Sequence, residues 1–189
     1  MKQQAVMQLE TQETDDQLVE RARQGDRYAF CRLLARYRRQ AVRTAYAMLR
    51  SMEDAEDVAQ EAFISVFRSL HAYRGEGKFS TWLYRIILNL CASRQRLPGS
   101  RETASEIVET IAREGTTEEA AIRSVTVWAV LARLPAQQRA ALVLREIDEL
   151  SYAEIAEVMG IAEGTVKYHI SEARRSFRRI WIQEIGDEM

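Results

Sequence analysis

The chain has 189 residues, which at ~150 residues per domain allows one or two domains. Hydrophobic residues make up 47%, charged residues 29%, with 8 Gly and 2 Pro, a balance that excludes collagen-like and low-complexity chains and argues against a sandwich of many tight turns. The net charge of −1 conceals alternating acidic and basic blocks, and the longest run without a charged side chain, Ser124 to Ala132, is nine residues, far short of the ~20 apolar residues of a membrane span.

Residues 1–17 are polar and acidic, with one base and four acids. They lack the apolar core of a secretory signal and are expected to be a disordered tail. Apolar positions then recur in steps of three and four: Phe30, Leu33, Leu34, Tyr37, Ala41, Val42, Ala45, Tyr46 and Leu49. That spacing predicts a helix with one buried face, and its stretch from Arg36 to Arg50 carries five arginines and no acid. Ser51 to Glu61 reverses the sign with five acids and no base. Val58, Ala62, Phe63, Val66, Phe67 and Leu70 continue the helical stripe, and on the wheel Asp54, Asp57, Gln60 and Glu61 fall opposite it. They form an acidic ridge suited to a basic partner helix.

Two glycines break the pattern in Tyr73-Arg74-Gly75-Glu76-Gly77-Lys78, which reads as a loop. The following helix, about Ser80 to Arg94, turns Trp82, Leu83, Ile86, Ile87 and Leu90 inward. A glycine loop with aromatics and basic residues suits single-stranded bases and backbone, although Trp82 at helical spacing reads as packing. Cys31 and Cys91 sit among small apolar neighbours and read as core fillers. Two cysteines give no disulfide framework, so a reducing, cytoplasmic setting is expected.

Leu97-Pro98-Gly99-Ser100 stops the helix, and an acidic stretch rich in Thr and Glu follows, read as a linker over residues 97–119. Periodicity returns at Ile122, Val125, Trp128 and Leu131, and Pro135 suits the start of a further helix. Ser151 and Glu154 have capping-box spacing, and Gly160 stands where a left-handed turn needs a residue without Cβ. The last helix has a stripe of Val166, Ile170, Ala173, Phe177 and Ile180. Leu150 to Ile170 thus has the grammar of a helix-turn-helix. At ~100° per residue, Lys167, Tyr168, Ser171, Arg175 and Arg178 point away from the core, with Thr165, His169 and Glu172 on the flank. Such a helix sets its first residues against base edges and its basic residues against phosphates. The plain alternative is a helical hairpin with a basic face.

No segment shows sustained period-two alternation. The expected fold is all-α: two small helical domains, residues 18–96 and 120–184, joined by a flexible linker. His71 and His169 have no Cys or carboxylate at ligand spacing, so no metal is expected. No cofactor motif and no nucleophile-base set is present, and the chain does not read as an enzyme.

Asp-Ala-Glu-Asp-x-x-Gln-Glu-x-Phe, the Tyr-Arg-Gly-x-x-x-Phe-x-Thr-Trp-Leu-Tyr-Arg-Ile run and Gly-Thr-Val-Lys follow one another in this order. Together they resemble a bacterial RNA polymerase sigma factor of the extracytoplasmic-function group of the sigma-70 family. Residues 18–96 resemble region two and residues 122–179 region four. The resemblance implies that Asp54, Asp57, Gln60 and Glu61 face the β′ clamp helices of core RNA polymerase. It implies that Tyr73 and Asn89 handle a base flipped from the minus-ten element, with Arg74, Lys78 and Arg85 as basic neighbours. In region four, Thr165, Lys167, Tyr168, His169, Ser171, Arg174 and Arg175 would meet minus-thirty-five promoter DNA, and the domain would sit on the β-flap tip. An anti-sigma factor is the implied regulator.

Tyr168-His169 stand where family members often have Ser-Arg, and Glu172 where a basic residue is common. These departures bear on minus-thirty-five specificity, not on the mode of binding. A DNA-binding regulator that works without polymerase would leave the acidic ridge and aromatic loop unexplained. A helical adaptor would leave the recognition-helix grammar unexplained.

Overall fold

The computed structural model describes residues 13–73, 75, 77–96 and 127–186, all helices and connecting turns with no strand among the described residues. The proposed linker, Arg74, Ile122 and Val125 lie outside them.

Helix α1 (Asp15–Arg23) opens on a capping box in which Thr14 and Gln17 satisfy each other's backbone amides. Helix α2 (Arg27–Leu49) is capped by Asp26, whose carboxylate accepts from the amides of Tyr28 and Ala29. Ser51 caps α3 (Met52–Ser69) through the Asp54 amide, and Glu53 and Asp54 lie in its first turn, where negative charge complements the helix dipole. A single 3-10 turn, Leu70–Ala72, leads to the loop before α4 (Phe79–Gln95). Residues 127–132 are helical (α5), followed by α6 (Ala136–Glu146), α7 (Tyr152–Met159) and α8 (Glu163–Gly186).

Helix α2 is the hub of the first unit, with α1, α3 and α4 packed on it. Leu18, Leu33, Val58, Val66, Leu83 and Ile87 are fully buried there, each contributing about 1.5–3 kcal/mol by leaving water. The second unit closes over Val130, Val143 and Ala173. Between them the apolar cluster is continuous: Leu144, Leu150, Ile155 and Val166 belong to the same buried set as Leu83 and Ile87. Helix α7 packs on α4, and α6 on α2.

Four expectations are corrected. The acidic tail does not reach residue 17, because α1 starts at Asp15 and its acids are engaged. Glu13 pairs with Arg21 and Arg32, and Asp15 with Arg36 at 2.7 Å and with the Tyr37 hydroxyl. Cys31 is exposed, although Cys91 is buried, and burial pushes the Cys91 thiol up to about 12. Phe67 is 55% exposed, so the stripe on α3 is wider than this chain covers. On α4 the buried face is Leu83, Tyr84, Ile87 and Cys91, while Trp82, Ile86 and Leu90 are only partly covered.

Candidate polymerase and nucleic-acid interfaces

Three surfaces carry the candidate residues. The first lies on α2 and α3. Asp57, Gln60 and Glu61 are exposed, and Asp54 is half-buried. The ridge is not wholly open: Arg94 of α4 reaches across to Asp54 at 2.9 Å and to Asp57 at 2.8 Å. Beside it runs an apolar groove of about 720 Å³, lined by Phe30, Leu34, Val42, Phe63, Ile64 and Phe67, with Arg38, Glu56 and Gln60 as its polar lining. The Phe30 and Phe67 rings pack at 5.0 Å, and Ile64 is 44% exposed. An apolar trough with Glu56 in its lining and the acidic ridge on the same helix fits an amphipathic helix with basic edges. Periodicity found the ridge. It missed the groove, because a stripe read from sequence does not say what covers it.

The second surface is built on the loop before α4. Tyr73 stacks on Trp82, with ring centres 4.7 Å apart and planes at 24°, and its hydroxyl donates to the Gly77 carbonyl. Burial raises that hydroxyl's pKa. Phe79 sets its edge against both rings, and Gly75 takes a positive φ of 71°, a conformation that suits glycine. Tyr73, Trp82, Ile86 and the exposed Asn89 line one pocket of about 420 Å³ with Ser65 and Ser69. The structure therefore brings Tyr73 and Asn89 together. It adds Trp82, which the sequence places in the core.

Lys78 and Arg85 are not part of that pocket. Lys78 Nζ lies 2.7 Å from the Glu154 carboxylate. Arg85 donates to the Glu157 carbonyl at 2.6 Å and lies 3.9 Å from its carboxylate. Lys78 and then the Ser151 hydroxyl hold the Glu154 carboxyl down at about 2.

The third surface is the helix-turn-helix, α7 and α8. The Ser151–Glu154 capping box forms, and Gly160 ends α7 at φ 66°. Val166, Ile170 and Ala173 are buried. Thr165, Lys167, Tyr168, Ser171 and Arg175 are exposed and His169 is half-buried, as the wheel requires. Lys167 pairs with Glu163 at 2.8 Å and lies 5.7 Å from the Tyr152 ring centre, while Arg175 pairs with Glu172. Such exposed pairs are weak and open readily to a phosphate. Arg174 is different: it pairs with Glu146 of α6 at 2.5 Å and borders a second apolar groove of about 540 Å³, lined by Leu131, Leu142, Val143, Phe177 and Trp181. Its side chain is turned toward that groove rather than along the Lys167–Ser171 face.

No group of three or more His, Cys, Asp or Glu among the described residues could hold a metal ion. No described helix is long and apolar enough to cross a membrane.

Comparison with known proteins agrees with this geometry. Residues 33–97 match Sigma-70 region 2, and residues 124–177 match Sigma-70, region 4. The chain is 38% identical over 179 residues to the RNA polymerase sigma-H factor of Pseudomonas aeruginosa, across 88% of this chain and 93% of that one. It is 40% identical over 157 residues to the ECF RNA polymerase sigma factor SigM of Mycobacterium tuberculosis, across 82% and 79% of the two chains. Among solved structures, CnrH in complex with the cytosolic domain of CnrY aligns at a TM-score of 0.71 and 26% identity, covering 89% of this chain and 97% of that one. The chain belongs to the sigma-70 family of RNA polymerase sigma factors, in its extracytoplasmic-function group.

Proposed function

We propose that the three surfaces divide the work of transcription initiation among named residues. Gln60, Glu61, Asp57 and Asp54 flank the groove that receives the β′ clamp helices of core polymerase, with Phe67 and Ile64 supplying apolar contact. The Tyr73–Trp82 stack and Asn89 hold a base extruded from the minus-ten element. Lys78 and Arg85, with Arg74, neutralise the backbone beside it. Lys167, Tyr168 and Ser171, flanked by Thr165 and His169, read minus-thirty-five base edges, and Arg175 meets phosphate. The second groove, bordered by Arg174, takes the β-flap tip. Both grooves also suit a protein regulator such as an anti-sigma factor; the CnrH relative is solved in complex with the cytosolic domain of CnrY.

The observation that carries this reading is the pocket of Tyr73, Trp82 and Asn89 on the chain that also presents the α8 face. Stacking holds a base of any identity by its π-face, which a duplex-only reader does not need. The chain works in the cytoplasm, with no catalytic role of its own. Mixing purified chain with core polymerase and a promoter library tests it: specific starts that need both components are expected. Specific duplex binding by the chain alone, unchanged by polymerase, would favour a polymerase-independent regulator instead.

A further inference from the structure

The contact between the two units is built around a buried carboxylate with several polar partners. The Asp148 side chain, in the turn between α6 and α7, has no exposed surface. It accepts from the Thr44 hydroxyl at 2.8 Å and the Tyr84 hydroxyl at 3.1 Å. Arg43 lies 4.0 Å from it and donates to the adjacent Ile147 carbonyl at 2.8 Å. A carboxylate buried this way is tolerated only with such partners, so the contact is specific in register. At the other edge α7 lies against the loop and α4: a methyl group on Gly77 would sit 3.2 Å from Glu157 Oε1.

The consequence is steric and electrostatic at once. Glu154 and Glu157 hold Lys78 and Arg85, two cations assigned above to minus-ten phosphates. Both apolar grooves stay open in this arrangement, so a partner can seat on each unit before the units part.

We propose that the chain has a latched form in which α7 covers the minus-ten face, its two glutamates standing in for DNA phosphates and Asp148 acting as the bolt. The latch rests on the reading of Lys78 and Arg85 as phosphate contacts. In the latched form the chain is a poor ligand for single-stranded DNA, and separation of the two units uncovers both cations.

Small-angle scattering of the full chain tests the latch without DNA. The wild type is expected to be compact, and Asp148→Ala to increase the radius of gyration with helicity unchanged. Glu157→Arg, an exposed change that places like charge opposite Arg85, is expected to open it too, and decides the matter if Asp148→Ala does not fold. A wild type as extended as Glu157→Arg overturns the latch, whatever the minus-ten residues do.

The second arm measures anisotropy of a labelled mixed-sequence single-stranded oligonucleotide across salt. Releasing two phosphate-binding cations should steepen the slope of log K against log salt by about 1.4 in Asp148→Ala, and Glu157→Gln, which leaves the Lys78–Glu154 pair in place, should steepen it by about half of that. Adding Lys78→Ala and Arg85→Ala to Asp148→Ala should remove the gain. Opening without a steeper slope overturns the claim that α7 masks phosphate contacts. Lys78→Ala and Arg85→Ala in the polymerase-bound chain test the underlying reading separately: unchanged promoter opening there refutes the minus-ten assignment and leaves the scattering result standing.

Discussion

Thr44 and Asp148 are 104 positions apart in the chain, yet the Thr44 hydroxyl donates to the Asp148 carboxylate at 2.8 Å. Burial pushes the Asp148 carboxyl up to about 6, against the opposing pull of Thr44, Tyr84 and Arg43. The facing groups are Arg43 and Thr44 from α2 and Tyr84 from α4, whose own hydroxyl burial pushes far up. The closed arrangement therefore binds a proton, between the ordinary carboxylate value of 3.8 and about 6, that an open one does not.

The closed population is accordingly expected to grow as pH falls through about 6 and to shrink as Asp148 ionises above it. Glu154, held at about 2 by Lys78 and Ser151, stays ionised over this window and keeps its pair. Scattering at about pH 5.5 should show a smaller mean radius than at about pH 7.5. Asp148→Asn, uncharged throughout, should lose the difference. A radius that falls with rising pH contradicts the assignment.

Charge reversal on α3 should separate folding from docking. Asp57→Arg with Glu61→Arg places two cations where a basic partner helix approaches, and attraction becomes repulsion. Asp57 also gives up Arg94, an exposed pair worth little, so helicity should hold while co-elution with core polymerase is lost. Unchanged co-elution would exclude this ridge as the docking site.

Tyr73→Ala and Asn89→Ala should impair promoter melting more than polymerase binding. Loss of one base stack costs ~1–3 kcal/mol, or roughly a 30-fold weaker open complex at the midpoint of that range. Trp82→Leu should do the same by removing the platform under Tyr73. Permanganate footprints at wild-type intensity would rule the pocket out.

The local grammar of the fold was readable before the structure. Helical stripes marked every described helix of the first unit except α1, and the Ser151–Glu154 box and Gly160 placed the helix-turn-helix turn. What periodicity could not reveal was which apolar side chains lack a cover. Phe67 has the spacing of a core residue and remains in water, with Ile64 beside it. Nor does any local signal tie Asp148 to Thr44 and Tyr84, or Arg94 to Asp54, because those contacts join residues 40 or more positions apart. The family resemblance grouped Arg174 with Arg175, but α6 places Glu146 beside the former.

Promoter choice should follow the exposed start of α8. Changing Tyr168-His169 to Ser-Arg should alter the preferred minus-thirty-five sequence, each changed base contact being worth ~1–3 kcal/mol. Arg175→Ala should weaken all promoters alike and flatten the salt dependence. Selection from a promoter library reads both effects. Identical preferences for the double variant and the wild type would show that these side chains do not read bases.

The open groove on α2 and α3 also sets a limit on dosage. Phe67 and Ile64 stay wet in every copy that lacks a partner, and uncovered aromatic surface favours self-association and capture by chaperones. Copies made in excess of polymerase and regulator are thus the copies most exposed to quality control. In the proposed reading, the groove that recruits a partner also ties the lifetime of the chain to how many partners the cell contains.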